Sequence, residues 1–390
     1  LPESPFASAF IGGFECSAQQ LLDGRKLYLL ASTGHDRFAE ADYRSLARHG
    51  ISCARDGLRW QLIEQVPGCY DWSSALPMLR AARNAGMQVI WDLCHYGWPD
   101  RIDIWSNEFV ERFAAFAAAA ARLVKAESDF PPFFCPVNEM SFWAWAGGET
   151  GGFAPFFHRR GGDLKRQLVR ASMAAVAAIR SVAPEARFIH AEPGVHVAPA
   201  TSLFEDIEAA ELHRQSQFEA LDLLSGRQEP ALGGKPELID IVGVNYYPHN
   251  QWFHPFGGIV PLGHHAYRPF RALLAETYAR YAKPLIVAET GAEGTCKGSW
   301  LHYICGEVLA ARRQGVPVLA ICLYPVVDYP GWVDDRHCST GLLSMADGDG
   351  RRTPDPEFLV EFMAQQARLA SDWWASLRSA PPYRHAPEGR

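Results

Sequence analysis

The feature that most constrains this chain is an eightfold alternation of short apolar runs with longer helical patterns. The apolar runs cover residues 9–14, 52–58, 88–93, 133–138, 187–191, 239–245, 285–289 and 318–324. Each is too short for a helix and is bounded by Gly, Pro or polar residues, the signature of a buried strand. Helical spacing of apolar residues covers 36–48, 73–84, 107–125, 163–182, 203–224, 269–281, 299–313 and 356–377. The first of these stops at Gly50, a C-cap signal, and the sixth stops before Pro284, which cannot continue a helix. Strict β–α alternation implies parallel strands joined by helical crossovers.

Two architectures satisfy that pattern. An open doubly wound sheet usually carries a Gly-rich phosphate loop after its first strand. Here that position reads Gly12-Gly13-Phe14-Glu15-Cys16, which does not fit G-x-G-x-x-G. The expectation is therefore an α/β chain folded as a closed (β/α)8 TIM barrel. Its 390 residues would admit two domains by length, but no Ser/Gly linker divides them. One barrel over residues 1–380 is expected, with a Pro-rich tail over 381–390 that frays.

Composition narrows the function classes. Hydrophobic residues at 48% and charged residues at 21% exclude disorder for most of the chain. A net charge of −7 argues against a nucleic-acid partner. No uncharged apolar stretch reaches about 18 residues, so no membrane span is expected. The first residues lack a basic region followed by an apolar one, so no signal peptide is expected. The nine Cys are odd in number and form no C-x-x-C pair, against a zinc ribbon or a disulfide scaffold. Cys53, Cys94, Cys135 and Cys322 lie in apolar runs and read as buried reduced thiols, which fits a cytoplasmic location. The 14 His include the pair His264-His265 but no H-E-x-x-H, so neither metal nor cofactor is expected. Gly147-Gly148 and Gly151-Gly152 are expected to flank a flexible, substrate-covering loop.

A barrel of this kind places its active site at the C-terminal strand ends. Those ends carry Arg55, Arg59 and Trp60; Asp92, His95 and Tyr96; Asn138 and Glu139; His190 and Glu192; Asn245 and Tyr247; Glu289; and Tyr324, Asp328 and Trp332. Glu139 and Glu289 each follow an apolar run, on the fourth and seventh strands. Two readings are open for them. They are capping or salt-bridge acids, or they are the carboxyl pair that retaining glycoside hydrolysis needs on either side of the scissile bond.

The surrounding residues resemble family 1 glycoside hydrolases over most of the chain. Phe10 to Gln20 is similar to F-x-W-G-x-A-T-S-A-Y-Q, and Arg55 to Trp60 to Y-R-F-S-I-S-W. His95-Tyr96-Gly97-Trp98-Pro99 resembles H-W-D-x-P, and Val137-Asn138-Glu139-Met140 resembles T-x-N-E-P. Gly243 to Tyr247 resembles G-x-N-Y-Y, Val287 to Gly291 resembles I-T-E-N-G, and Asp328 to Trp332 resembles D-N-F-E-W. Each match is weak, but seven in order at strand ends are specific together.

The resemblance implies a retaining β-glycosidase acting on a β-linked carbohydrate, with Glu289 as nucleophile and Glu139 as acid/base. It implies that Asn138 binds the sugar 2-hydroxyl and that Arg55 and Tyr247 hold Glu289 ionised. Gln20 and His95 would bind glycone hydroxyls, and Trp60, Trp98, Tyr324 and Trp332 would stack on sugar faces. The family's glycone-binding Glu falls at Gly331, the chain is shorter than is usual for the family so that some barrel-top loops must be trimmed, and no phospho-sugar pattern follows Ser344. Glu192 is a candidate compensating contact, as are His196, Asp334, Asp335, Arg336 and His337. The departure leaves three functions open: hydrolysis of a glycone other than glucose, transglycosylation with the same pair, or a catalytically weak sugar-binding barrel.

Overall fold

A computed structural model describes residues 4–378, with side chains described as far as residue 371. The tail expected to fray, 381–390, lies outside the described residues. Eight parallel strands close into a barrel: β1 Phe10–Gly13, β2 Cys53–Gly57, β3 Gln88–Asp92, β4 Phe133–Cys135, β5 Arg187–Pro193, β6 Ile241–Asn245, β7 Leu285–Thr290 and β8 Val318–Leu323. They pair in sequence order, and β8 closes on β1 through Phe10 opposite Ile321. All eight expected strands are present.

The strands are buried on both faces, which is why they read as continuous apolar runs. Ile11, Cys53, Ile90, Phe133, Ile189, Ile241, Ile286 and Cys322 fill the barrel interior. Their neighbours Ala54, Trp91, Phe134, Phe188, Val242 and Val287 point outward into the layer beneath the helices. Eight principal helices form that outer layer: α1 His35–Arg48, α2 Leu76–Asn84, α3 Asn107–Glu127, α4 Gly161–Val182, α5 Phe204–Gln215, α6 Phe270–Tyr281, α7 Lys297–Arg313 and α8 Pro356–Arg378. No described helix is long and apolar enough to cross a membrane.

Three local expectations are corrected. The helix expected over 203–224 is interrupted by a 3-10 turn, Ser216–Phe218, before a short helix Glu219–Ser225. There the Gln217 side-chain amide bonds the Val195 backbone on both sides, at 2.9 and 3.1 Å, and draws the chain toward the loop after β5. Strand β4 ends at Cys135 rather than at residue 138, because Pro136 has no N–H for the ladder. The Gly-flanked segment after β4 is not a loose loop. Ala144–Glu149 winds as a π-helix, and Gly148 packs against the start of α4.

Candidate active site

The C-terminal strand ends surround a cavity of about 1190 Å³ that both Glu139 and Glu289 line. Each is positioned by backbone geometry. Glu289 continues β7 opposite Asn245. Glu139 sits three residues beyond the proline that ends β4, with φ +42°, and its N–H donates to Ala191 at 3.0 Å. This left-handed residue caps the four-residue turn Met140–Trp143 and aims its carboxyl inward. A non-glycine at positive φ costs free energy and clusters at functional sites.

The two carboxyls have different partners. Arg55 donates to Glu289 Oε1 at 2.9 Å, and the Tyr247 hydroxyl donates to Oε2 at 2.8 Å. Glu139 has only neutral donors: Asn245 Nδ2 to Oε1 at 2.9 Å and Tyr96 Oη to Oε2 at 3.0 Å. Burial raises the Glu139 carboxyl to about 8, and the Glu289 charge adds to that rise. Burial also raises Glu289, but there the Arg55 guanidinium opposes it. The surroundings therefore favour the proton on Glu139 and the charge on Glu289, where a guanidinium opposes the effect of burial.

Arg55 is itself fixed. It donates to both oxygens of Asp92, at 3.0 and 2.7 Å, and to Asn138 Oδ1 at 2.7 Å. Arginine only donates, so the Asn138 oxygen must face it and the amide NH₂ faces His95 Nε2 (2.9 Å) and Tyr96 Oη (3.2 Å). His95 Nε2 is then an acceptor, the proton sits on Nδ1, and that N–H points at Asp92 Oδ2, 3.1 Å away. Tyr96 Oη accepts from Asn138 and donates to Glu139, so one chain of hydrogen bonds links the surroundings of the two carboxyls.

His95, Tyr247, Tyr324 and Trp332 line the cavity with the glutamate pair. The Tyr324 ring lies across the end of β1, where a Cβ at Gly13 would come within 2.3 Å of it. Other expected contacts lie elsewhere. Asn138 is fully buried, with both polar atoms engaged by protein groups, so it orients Arg55 and His95 from behind the cavity wall. Gln20 is exposed on the hairpin Ala18–Gln20/Lys26–Tyr28 and, with Trp98, lines an adjoining pocket of about 340 Å³ that shares Tyr96 with the main cavity. Trp60 is no sugar platform. It is fully buried, donates to Glu64 at 2.7 Å and packs on Phe109, Phe113 and Phe116. Glu192 is buried behind the Glu139 turn and accepts the Ser141 N–H at 3.0 Å; burial pushes it up to about 7.

Around the mouth, Arg336 lines the cavity and pairs with Glu293, while Asp335 pairs with Arg25 and His337 with Asp328. His196 belongs to a two-stranded ribbon with Gln251–His254. Among the described residues, one trio has metal-ligand proximity: Cys16, Asp92 and His95. Its donor set does not fit a cation, because both Asp92 oxygens are already taken by Arg55 and burial holds the Cys16 thiol protonated.

Three polar residues of this site were not among the expected contacts. Tyr96 and Asn245 hold Glu139. Glu15, just beyond β1, lines the cavity and is 5% exposed. All three meet the criterion that singled out Glu139 and Glu289, a polar group at a strand's C-terminal exit.

The barrel fold has many counterparts among solved structures. No protein-family model matches this chain, and no curated protein sequence does. Among solved structures, a family 1 β-glucosidase from Thermotoga maritima superposes with TM-score 0.74 at 14% identity, covering 95% of this chain and 99% of that one. The same enzyme in complex with glucoimidazole gives 0.74 at 15% identity, with 95% and 99% covered. A hyperthermophilic β-glucosidase mutant gives 0.73 at 17% identity, with 93% and 100% covered. The chain thus has the (β/α)8 fold of these β-glucosidases over nearly its full length; at such identity the likeness is one of fold.

Proposed function

We propose that this chain is a retaining β-glycosidase of the family 1 type, and the carrying observation is the asymmetry of its two cavity carboxyls. Glu289, beside Arg55 and Tyr247, is the nucleophile: its oxygen bonds to the anomeric carbon as the bond from that carbon to the aglycone oxygen breaks. Glu139 gives its proton to the departing oxygen. In the second half, Glu139 as carboxylate takes a proton from water, the water oxygen bonds to the anomeric carbon, and Glu289 leaves as carboxylate. Desolvation suits Glu139 to both roles, because it brings the pKa close to operating pH. The fold likeness to β-glucosidases supports a β-linked carbohydrate as the substrate.

Replacing Glu289 with Gly tests the assignment. The variant should lose β-glycoside hydrolysis, and azide should restore turnover as an α-glycosyl azide, because it attacks from the vacated face. Loss without rescue, or little loss, would sink the nucleophile. A sugar-binding barrel would bind glycosides and turn none over in the parent protein either.

A further inference from the structure

Two glycone contacts of the resembled family have no counterpart in this cavity. Gln20 is exposed and lines the adjoining pocket, not the cavity that holds the two glutamates. The space at Gly331 is occupied from its own loop: a Cβ there would come within 2.5 Å of Asp334 Oδ1. The cavity nevertheless holds a third carboxylate. Glu15 is presented just beyond β1, between Phe14, which is stacked on His35, and Ser17. Its carboxylate is oriented by one oxygen alone. Oε1 accepts from the Ser17 N–H at 3.0 Å, from the Ser17 hydroxyl, and from the Tyr324 hydroxyl at 3.4 Å. Among the described residues none donates to Oε2.

Glu15 also has a definite place relative to the reacting centre. Arg55 joins Glu289 to Asn138, Asn138 joins to His95, and the His95 ring stacks parallel to Tyr324 at 6.1 Å. Tyr324 then touches Glu15. Arg55 also faces the Tyr324 ring, 5.4 Å from its centre, so Glu15 reaches the nucleophile's guanidinium partner through Tyr324 while its own side chain lines the cavity. Its charge works against ionisation of Glu289. A neutral glutamine would satisfy Ser17 and Tyr324 equally well, so a purely structural role leaves the charge unexplained.

We infer that Glu15 is the glycone-specificity residue of this enzyme, its free oxygen accepting hydrogen bonds from sugar hydroxyls on the ring edge away from the anomeric carbon, at C3, C4 or C6. The inference rests on the glycosidase reading and supplies the grip that Gly331 and Gln20 do not. Charge-assisted hydrogen bonds to a carboxylate are the strong ones, and a site built to bind a hydroxyl discriminates sharply against analogues lacking it.

The test uses the full chain with nitrophenyl β-glycosides of glucose, galactose, fucose and xylose, and the 3-, 4- and 6-deoxy forms of the best of them. Glu15→Gln should lower kcat/KM on the best glycone by about 10²-fold. On the one deoxy analogue that lacks the gripped hydroxyl, parent and variant should agree within a few fold. An equal loss on every glycone, or no loss, overturns the inference. If E15Q does not fold, the parent enzyme alone decides: it must reject one deoxy analogue by about 10²-fold or more, and a flat profile overturns the inference. Labelling of the parent by a 2-deoxy-2-fluoro glycosyl fluoride keeps the two readings apart. A parent that is labelled but fails the Glu15 test retains the glycosidase reading and loses only this one.

Discussion

Glu139 and Glu289 are the same side chain in the same cavity, and their partners separate them. A guanidinium at 2.9 Å favours the carboxylate of Glu289, whereas Asn245 and Tyr96 offer Glu139 only neutral donors against its desolvation in the cavity. The kcat/KM profile should therefore fall on the alkaline side as pH rises through about 8, as Glu139 loses its proton. Tyr96→Phe removes a donor that favours the ionised form, so it should move that limb to higher pH. An unmoved limb would mean another group sets it. Glu139→Gln should cost about 10²–10⁴-fold for aglycones that need protonation and much less for dinitrophenyl leaving groups. Much of this was legible in sequence, because a first acid after an apolar strand must emerge at the rim. Glu15 obeys the same rule after residues 9–14, at a position where the resembled pattern has a small residue. Trp60 shows the converse limit. Its position after β2 suggested the cavity, but the turn Trp60–Ile63 directs the ring outward, under α3.

At the level of elements, the eight strands were recoverable because burial on both faces leaves no alternation to misread. What sequence could not give was the path between them. The segment after β4 looked flexible from its glycines, yet those glycines allow close packing. A Cβ on Gly147 would meet the Ala154 carbonyl at 2.6 Å and Pro155 Cδ at 2.8 Å. Trp143 Nε1 donates to that same carbonyl at 2.9 Å. The π-helix Ala144–Glu149 is thereby clamped, and Phe142 and Trp145 are held in the cavity wall. π-bulges are frequent at functional sites. Gly147→Ala should push this wall off Ala154, destabilise the fold by about 1–3 kcal/mol, and raise KM more than it lowers kcat. Denaturant titration and steady-state kinetics on one preparation check both, and an unchanged KM with a lowered midpoint would show that the wall does not shape binding.

Over the whole molecule, a fully buried ionic cluster joins the beginning of the chain to its end. His35, at the start of α1, bonds Asp42 through Nδ1 and Asp56 of β2 through Nε2, each at 2.8 Å. Tyr43 donates to Asp56 at 2.5 Å, and Arg352, from the segment after β8, donates to both oxygens of Asp42 at 2.6 and 2.9 Å. Two carboxylates thus face two cations, which is how buried charge becomes tolerable. Burial alone would lower the His35 pKa, but Asp56 and Asp42 outweigh it and raise the imidazole to about 9. A folded-state pKa above the unfolded value of 6.5 gives a stabilising contribution that is complete below pH 6.5 and lost as pH rises through about 9. The unfolding free energy should therefore decline between pH 6.5 and 9.5 in the parent. In His35→Ala that decline should be flatter. The variant should also lose about 3–5 kcal/mol at pH 6.5, because two aspartates remain buried with one cation between them. Arg352→Ala should cost stability similarly but keep the His35-linked slope, since His35 still sits between its aspartates. A parental pH slope that survives His35→Ala intact would assign the titration to other groups and would leave the cluster a packing feature alone.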